Sequence, residues 1–333
     1  MIVLSGGTGT PKLLQGIRRI IPDEEITVIV NTAEDIIVSG SLVSPDVDTI
    51  LYLFSGTLDI SKWWGIRNDT FHTNNALKKM GINEKLMLGD ADRATCIFRD
   101  VLMQKGASLT EATLSLSAAL GIKAKILPMC NEKVDTMIKT PEGVLHFQDF
   151  WVGSRGNPEV LDVDITGIGK ARLTKEVLDA LKHEDNIIIG PSNPITSIGP
   201  ILAIKGIREI LMTKKVIAVS PIIGDSPVSG PAGKLMSAKG YPVSSNGVAR
   251  CYGDILDIMV IDDRDTAKGG TAKGGTAKGG TAKGGTAKGD TVKGDTAKEP
   301  DFSVKTVQLD TIMTSVEKSE NLARNILKLF QDI

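Results

Sequence analysis

The feature that most constrains the fold is an alternation along nearly the whole chain: short apolar runs of strand character recur between amphipathic, helix-like segments. The runs are MIVL at the start, ITVIV (26–30), AKILPM from Ala124, NIIIG (186–190), KVIAVS (215–220) and DIMVID ending at Asp262. Continuously apolar runs separated by helices predict a mostly parallel sheet covered by helices on both faces. Helix-boundary chemistry agrees. Ser108 with Glu111 forms a capping box before ATLSLSAAL, which Gly121 ends, and Thr314 with Glu317 predicts the start of a C-terminal helix running to about Phe330.

The first strand runs into SGGTGTPK (5–12), after which Leu13, Leu14, Ile17 and Ile20 recur at helical spacing. Pro11 suits a first helical position, so Gly6, Gly7 and Gly9 fall in a strand-to-helix turn. Backbone without side chains can approach a ligand closely, and the N–H groups opening the helix favour an anion such as phosphate. The spacing matches neither the dinucleotide pattern G-x-G-x-x-G nor a P-loop, and a tight turn without a ligand would explain one of the glycines.

Charge and composition narrow the partners. With a net charge of −1, the chain has no basic field that would draw it to nucleic acid or an anionic membrane, so neither is expected as a partner. No charged leader precedes an apolar segment, and no run approaches the roughly 20 apolar residues of a spanning helix; the cytoplasm is the expected setting. Cys96, Cys130 and Cys251 are widely spaced and odd in number, which fits reduced structural thiols. His72, His146 and His183 form no triad or metal-ligand pattern, and no nucleophile elbow is present.

From Thr266 the unit TAKGG repeats, drifting to TVKGD, in seven tandem copies that finish at Pro300. Almost devoid of apolar surface, residues 266–300 cannot offset the entropy of ordering, and they are expected to be a disordered insertion without activity. The remaining residues, 1–265 and 301–333, are expected to form a single α/β domain.

Four further segments could carry chemistry. In NTAEDIIVSGSLVSPDVDTILYLFSG, Asp46 and Asp48 stand at the entry of an apolar helix, where paired carboxylates can hold a hard cation such as Mg²⁺ and orient a hydroxyl nucleophile; helix capping would also favour an Asp there. In LGDADRATCIFRD, Asp90, Asp92 and Arg93 open a helix whose apolar side would carry Ile97 and Val101, although acids at a helix N-terminus need no ligand. GPSNPITSIGP and SPIIGDSPVSGPAGKLM follow two predicted strands, where open parallel sheets bind their ligands. Ser192, Asn193, Thr196 and Ser197 offer hydrogen-bond partners for a base or sugar, and Gly230, Gly233 and Lys234 suggest a second phosphate cradle. Trp63 and Trp64 could stack on a flat ring, but anchoring a flexible segment is the favoured reading.

Taken together, SGGTGTPKLL, NTAEDIIVSG, SPDVDTILYLFSG, WWGIRNDTF, LGDADRAT, HFQDFWV, GPSNPITSIGPIL and SPIIGDSPVSGPAGKLM resemble the 2-phospho-L-lactate transferases of coenzyme F-420 biosynthesis. The resemblance runs from Met1 to about Asp265 and resumes at Asp310, skipping the repeat. It implies a Rossmann-like three-layer fold with a small additional helical or hairpin subdomain, a homodimer, and Mg²⁺-dependent transfer from a diphosphoguanosine donor to the ribityl hydroxyl of a deazaflavin, with release of GMP. On that basis Gly6, Gly7, Thr8, Gly9 and Lys12 would hold the diphosphate, and Ser192, Asn193, Thr196, Ser197, Gly230 and Lys234 the guanosine side. Asp46 and Asp48 would hold the metal. Asp48, Met87 and Arg93 would face the deazaflavin, with Asp48 and then Asp90 the candidate catalytic bases. Met87 and Ala91 stand where basic side chains are expected in relatives, and Arg93 is the candidate substitute. A non-catalytic nucleotide-sugar-binding regulator on the same scaffold is the main rival; a dinucleotide oxidoreductase lacks its fingerprint.

Overall fold

Seven strands, all parallel, build the central sheet of the computed structural model, which describes residues 1–265 and 304–333. They are β1 (Ile2–Ser5), β2 (Thr27–Val30), β3 (Lys125–Pro128), β4 (Asn186–Ile189), β5 (Lys215–Val219), β6 (Ile258–Asp262) and β7 (Lys305–Leu309). Their order across the sheet is β7-β6-β5-β4-β1-β2-β3. The chain therefore winds outward from β1 through β2 to β3, then crosses back to β4 and winds the other way. This is the doubly wound, Rossmann-like order, and its topological switch lies between β1 and β4, paired in register from Ile2 with Ile187 to Leu4 with Ile189.

Successive strand residues enter different cores. Leu4, Ile29, Leu127 and Ile189 join one buried cluster, while Val3, Val28, Val30, Ile126 and Ile188 join the cluster on the opposite face. A sheet buried on both sides requires continuously apolar strands, which is why the sequence runs are not alternating. β7 lies outside that rule: as an edge strand with the half-polar sequence KTVQL it gives no apolar run, and the sequence expectation misses it.

The helices that matter for the site are α1 (Gly9–Ile17), α2 (Pro45–Ser55), α3 (His72–Lys79), α4 (Asp90–Gln104) and α5 (Leu109–Ala119). Ser108 and Glu111 make the expected capping box on α5. Two boundaries shift by a residue or two. α1 begins at Gly9, so Pro11 is its third residue, tolerated because no N–H in that first turn has a partner within the helix. The C-terminal helix, Val316–Leu329, is capped by Ser315 and not by Thr314: the Ser315 hydroxyl accepts from the Lys318 N–H at 3.3 Å, and the extended backbone there turns the side chain into the helix start.

α4 contradicts its sequence reading. Ile97 and Val101 face outward, and the buried residues are Asp92, Arg93, Thr95, Cys96 and Arg99. Its inner face meets Asp48 and Tyr52 of α2, with Cys96 packed among Val38, Val43 and Leu88, so the mostly polar stripe is the inward one.

Smaller pieces supply the additional subdomain. A three-stranded antiparallel sheet comprises Asp135–Thr140, Gly143–His146 and Asp162–Thr166, and a hairpin pairs Ile36–Val38 with Ser41–Val43. The repeat at 266–300 lies outside the described residues. The segments flanking it belong to one sheet, with β6 pairing β7 from Ile258 with Lys305. Among the described residues, no helix is long and apolar enough to cross a membrane.

The C-terminal helix packs on α1 at Gly16, where an added Cβ would lie 2.1 Å from the Ser319 carbonyl oxygen. Gly16→Ala is therefore expected to cost about 1–3 kcal/mol by forcing the two helices apart, measured as a lowered urea midpoint.

Candidate active site

At the carboxyl edge of the sheet, over the β1/β4 switch, a cavity of about 830 Å³ opens. Gly7, Thr8, Gly9 and Lys12 line it from the β1–α1 turn, and Asp46, Asp48, Thr49 and Tyr52 from α2. Ser192, Asn193, Thr196 and Ser197 come from the loop after β4, Gly230 from the loop after β5, and Thr311 to Thr314 from the segment after β7. Trp64, Lys85, Met87, Phe147 and Trp151, from outside the sheet, complete the lining.

The three glycines of the turn have separate reasons. Gly7 adopts φ +58°, and its N–H donates to Asp46 Oδ1 at 2.9 Å. Gly9 and Gly6 permit a close approach by the loop after β4: a Cβ on Gly9 would sit 1.9 Å from the Pro191 carbonyl oxygen, and one on Gly6 2.6 Å from Ser197 Cβ. Ser192 seals this junction by donating to the Gly6 carbonyl and bonding the Thr10 hydroxyl at 2.7 Å. Asn193 Oδ1 accepts the Ile195 N–H at 3.0 Å, shaping its own loop. Much of the polar capacity that the sequence offered to a ligand is thus spent in building the turn. What still points outward for an anion is the start of α1, together with Lys12, whose ammonium lies 5.4 Å from the centre of the Trp63 ring.

The floor of the site is acidic. Asp46, buried, accepts from Gly7 and from Asn31 Nδ2 at 3.0 Å; burial raises its carboxyl to about 6. Asp48 is paired with Arg99, a fully buried guanidinium that also donates to the Leu42 carbonyl at 2.9 Å. Asp92 accepts from the Tyr52 hydroxyl at 2.6 Å, and burial, with the nearby charge of Asp48, pushes it up to about 6. Glu34 is raised by burial and by Asp46, and Asp35 mainly by burial. Donor atoms of Asp48, Asp92 and Cys96 lie within 4.8 Å of one another, although burial keeps the Cys96 thiol protonated. Glu34, Asp46, Asp48 and Asp92 line the cavity, and of these the Asp48 and Asp92 oxygens lie close enough together to suit a hard divalent cation, while Asp46 accepts from Gly7 and Asn31.

Several expected residues lie elsewhere. Asp90 caps α3, accepting from the Thr70 hydroxyl and from the N–H groups of His72 and Thr73; these bonds hold its carboxyl well below the usual range, and it does not line the cavity. Arg93 is paired with Glu84 at 2.6 Å. Lys234 donates to the Gly156 carbonyl at 2.7 Å and fixes that loop. The Trp pair divides: Trp63 packs against the core, while Trp64 lines the cavity. Sequence reasoning misses Glu34, Tyr52, Lys85, Arg99 and Trp151. For Arg99 a signal existed, because Asp92, Thr95 or Cys96, and Arg99 recur at helical spacing opposite Ile97 and Val101, and either stripe could have faced inward.

A cavity of this size, at the switch point of a doubly wound sheet and lined by perturbed carboxyls, is the small-molecule site of an α/β enzyme. The sequence model of the family described as 2-phospho-L-lactate transferase CofD matches residues 1–292, and the chain belongs to that family. It is 52% identical over 335 residues to the 2-phospho-L-lactate transferase of Methanosarcina mazei, covering 99% of this chain and 100% of that protein. The Methanocaldococcus jannaschii protein of the same name is 49% identical over 272 residues, covering 80% and 88% of the two chains. A crystal structure of a UPF0052-family protein from Bacillus halodurans shares the fold, with a TM-score of 0.57 at 19% identity over 80% of this chain and 82% of that one. The chain is accordingly an enzyme, a transferase, and not a non-catalytic regulator on the same scaffold.

The raised carboxyls set a pH dependence. Asp92 holds its proton up to about pH 6 when folded, whereas unfolding returns it to an ordinary value near 4, so the folded state binds the extra proton between these limits. Its contribution to stability falls as pH rises from about 4 to 6 and stays low above that. Asp92→Asn, in metal-free buffer, is expected to be more stable than the parent by about 1–3 kcal/mol at pH 8, with the gap closing by about pH 4. Urea titrations at the two pH values measure it, and a gap that widens toward low pH would contradict the assignment.

Proposed function

We propose that the enzyme transfers the 2-phospho-L-lactate group of lactyl-2-diphospho-5'-guanosine to the ribityl hydroxyl of 7,8-didemethyl-8-hydroxy-5-deazariboflavin, releasing GMP and forming the core of coenzyme F-420. The observation that carries this reading is that one cavity contains three kinds of lining. The anion-attracting start of α1 lies there with Lys12, buried carboxylates form the floor, and the exposed Trp64, Met87 and Trp151 supply apolar surface suited to a flat ring. Membership of the family supports the same reaction class.

In this reading the opening N–H groups of α1 and the Lys12 ammonium bind the diphosphate, and the loops at Asn193 and Gly230 receive the guanosine. The ribityl oxygen attacks the phosphorus that bears lactate, the bond from that phosphorus to the GMP oxygen breaks, and the hydroxyl proton passes to a cavity carboxylate, Asp48 or its neighbour Asp92. Asp90, committed to capping α3, does not take part. Asp48 with Asp46 would hold Mg²⁺, and Asp92 stands close enough to Asp48 to add its charge to theirs. When bound, Mg²⁺ would neutralise charge on the diphosphate and on the departing GMP. Burial raises the Asp48 carboxyl, and Arg99 opposes that rise and fixes its orientation. We also assign the enzyme to the cytoplasm as a homodimer. The cytoplasm fits three free cysteines, of which burial pushes the Cys130 thiol up to about 11 and the Cys251 thiol up to about 12.

The test is incubation with the deazaflavin, Mg²⁺ and the lactyl donor, followed by mass spectrometry of GMP and the phosphodiester. Both products are expected in equal amounts and only with metal; parallel donors carrying enolpyruvate or glycerate rank the acyl group. Failure of all three donors, with nucleotide still bound, would overturn the reading. Asp48→Asn strips Arg99 of its partner and so reports on stability as well as chemistry. Lys12→Ala is the cleaner variant. It is expected to weaken the donor by about 1–3 kcal/mol, seen as a raised KM for donor with that for deazaflavin unchanged.

A further inference from the structure

One wall of the cavity has little of its own to hold it in place. Residues 83–88, between α3 and α4, supply Lys85, Leu86, Met87 and Leu88 to the lining. They form no helix or strand, and among the described residues no backbone hydrogen bond joins them to another element. α3, which leads into them, buries none of its residues. Apolar support is confined to Leu88 and, in part, Leu86, packed with Val38, Val43 and Cys96. What remains is a small set of side-chain bonds. Lys85 pairs with Asp149, and the others converge on Glu84.

The Glu84 side chain is 1% exposed, and its carboxylate is met from three elements. It accepts from the Ser39 hydroxyl at 2.5 Å, in the turn of the hairpin, from Asn74 Nδ2 at 2.9 Å on α3, and from Arg93 Nη2 at 2.6 Å on α4. Burial works against its ionisation, yet the bonds from Arg93, Ser39 and Asn74 hold the carboxyl below its usual range. We propose that Glu84 is the positioning residue for the acceptor: it sets the wall that carries Met87 at a defined spacing from the acid floor. Two of its three anchors lead to that floor. The hairpin leaves from Glu34 and Asp35 and returns through Ser44 to Asp46, and α4 carries Asp92 and Arg99. A charge-assisted junction of hairpin, α3 and α4 therefore registers the wall against the carboxylates, and the gap between them is the slot in which a flat ring must lie for its side-chain hydroxyl to reach Asp48. Glu84 does not itself line the cavity, so it acts through Lys85 to Leu88. The inference rests on the deazaflavin reading above and adds the residue that sets the width of the slot.

Steady-state GMP release tests it. Glu84→Ala is expected to raise KM for the deazaflavin about 10-fold, with KM for the donor and kcat near the parent values. A purely structural role would lower the active fraction, and so kcat, at unchanged KM. Glu84→Gln keeps an acceptor for Asn74 and Arg93 and an amide that can donate to Ser39, so it is expected to bring KM back toward the parent value. Asn74→Ala removes a single bond from a helix with no buried residue, which keeps the test available should Glu84→Ala fail to fold, and is expected to raise the same KM about 3-fold. An unchanged deazaflavin KM in these alanine variants, or a fall in kcat alone, would overturn the inference. Tryptic cleavage after Lys85 reads the anchor without the reaction: it is expected to be faster in Asn74→Ala, where the sequence around the cleaved bond is that of the parent. If the parent releases no GMP, the transferase reading fails, and cleavage at the parent rate in Asn74→Ala would then overturn the anchor as well.

Discussion

The ion pair between Asp48 on α2 and Arg99 on α4 is the interaction on which the site depends. Both groups are buried, and a guanidinium with no access to water is tolerated only where a carboxylate and further acceptors meet it. Arg99 has both, in Asp48 and the Leu42 carbonyl. Through that pair α4 is drawn against α2 with its polar stripe inward, Asp92 is delivered to the Tyr52 hydroxyl, and the apolar stripe is left outside. One charge interaction thus sets the electrostatics of the cavity floor and the character of the opposite surface.

The remaining acids explain why the floor suits a cation. Burial raises Glu34, Asp35, Asp46, Asp48 and Asp92, Asp46 and Asp92 to about 6, and the Arg99 guanidinium opposes the rise at Asp35, Asp48 and Asp92. A bound cation would offset the cost of ionising buried carboxyls, and Glu34, Asp46, Asp48 and Asp92 line the cavity over the switch point of the sheet, where β1 and β4 part. The glycine turn after β1 works with this geometry by letting the loop after β4 close over it, which keeps Asp46 tied to the Gly7 N–H while α1 still presents its N-terminus.

Reading the chain in sequence order recovers the parallel sheet, since continuously apolar strands between helices can be buried only in that way. It recovers the turn at Gly6 to Gly9, the acids at Asp46 and Asp48, and the loops after β4 and β5, because each adjoins the carboxyl end of a recognisable strand. It does not foresee that Asp90, Arg93 and Lys234 bond to the start of α3, to Glu84 and to the Gly156 carbonyl. Their partners are distant in sequence, and no local pattern announces them.

What the sequence by itself determined is everything set by short-range periodicity and composition: strand and helix succession, the capping of α5, the turn chemistry, and the absence of a net basic field. Only the tertiary structure decided which stripe of α4 is buried, which carboxylates share one cavity, and which polar groups remain for a ligand. The physical reason is that burial and ion pairing belong to pairs of elements, so the same Arg99 is an ordinary surface residue or the anchor of the site according to what α2 presents to it.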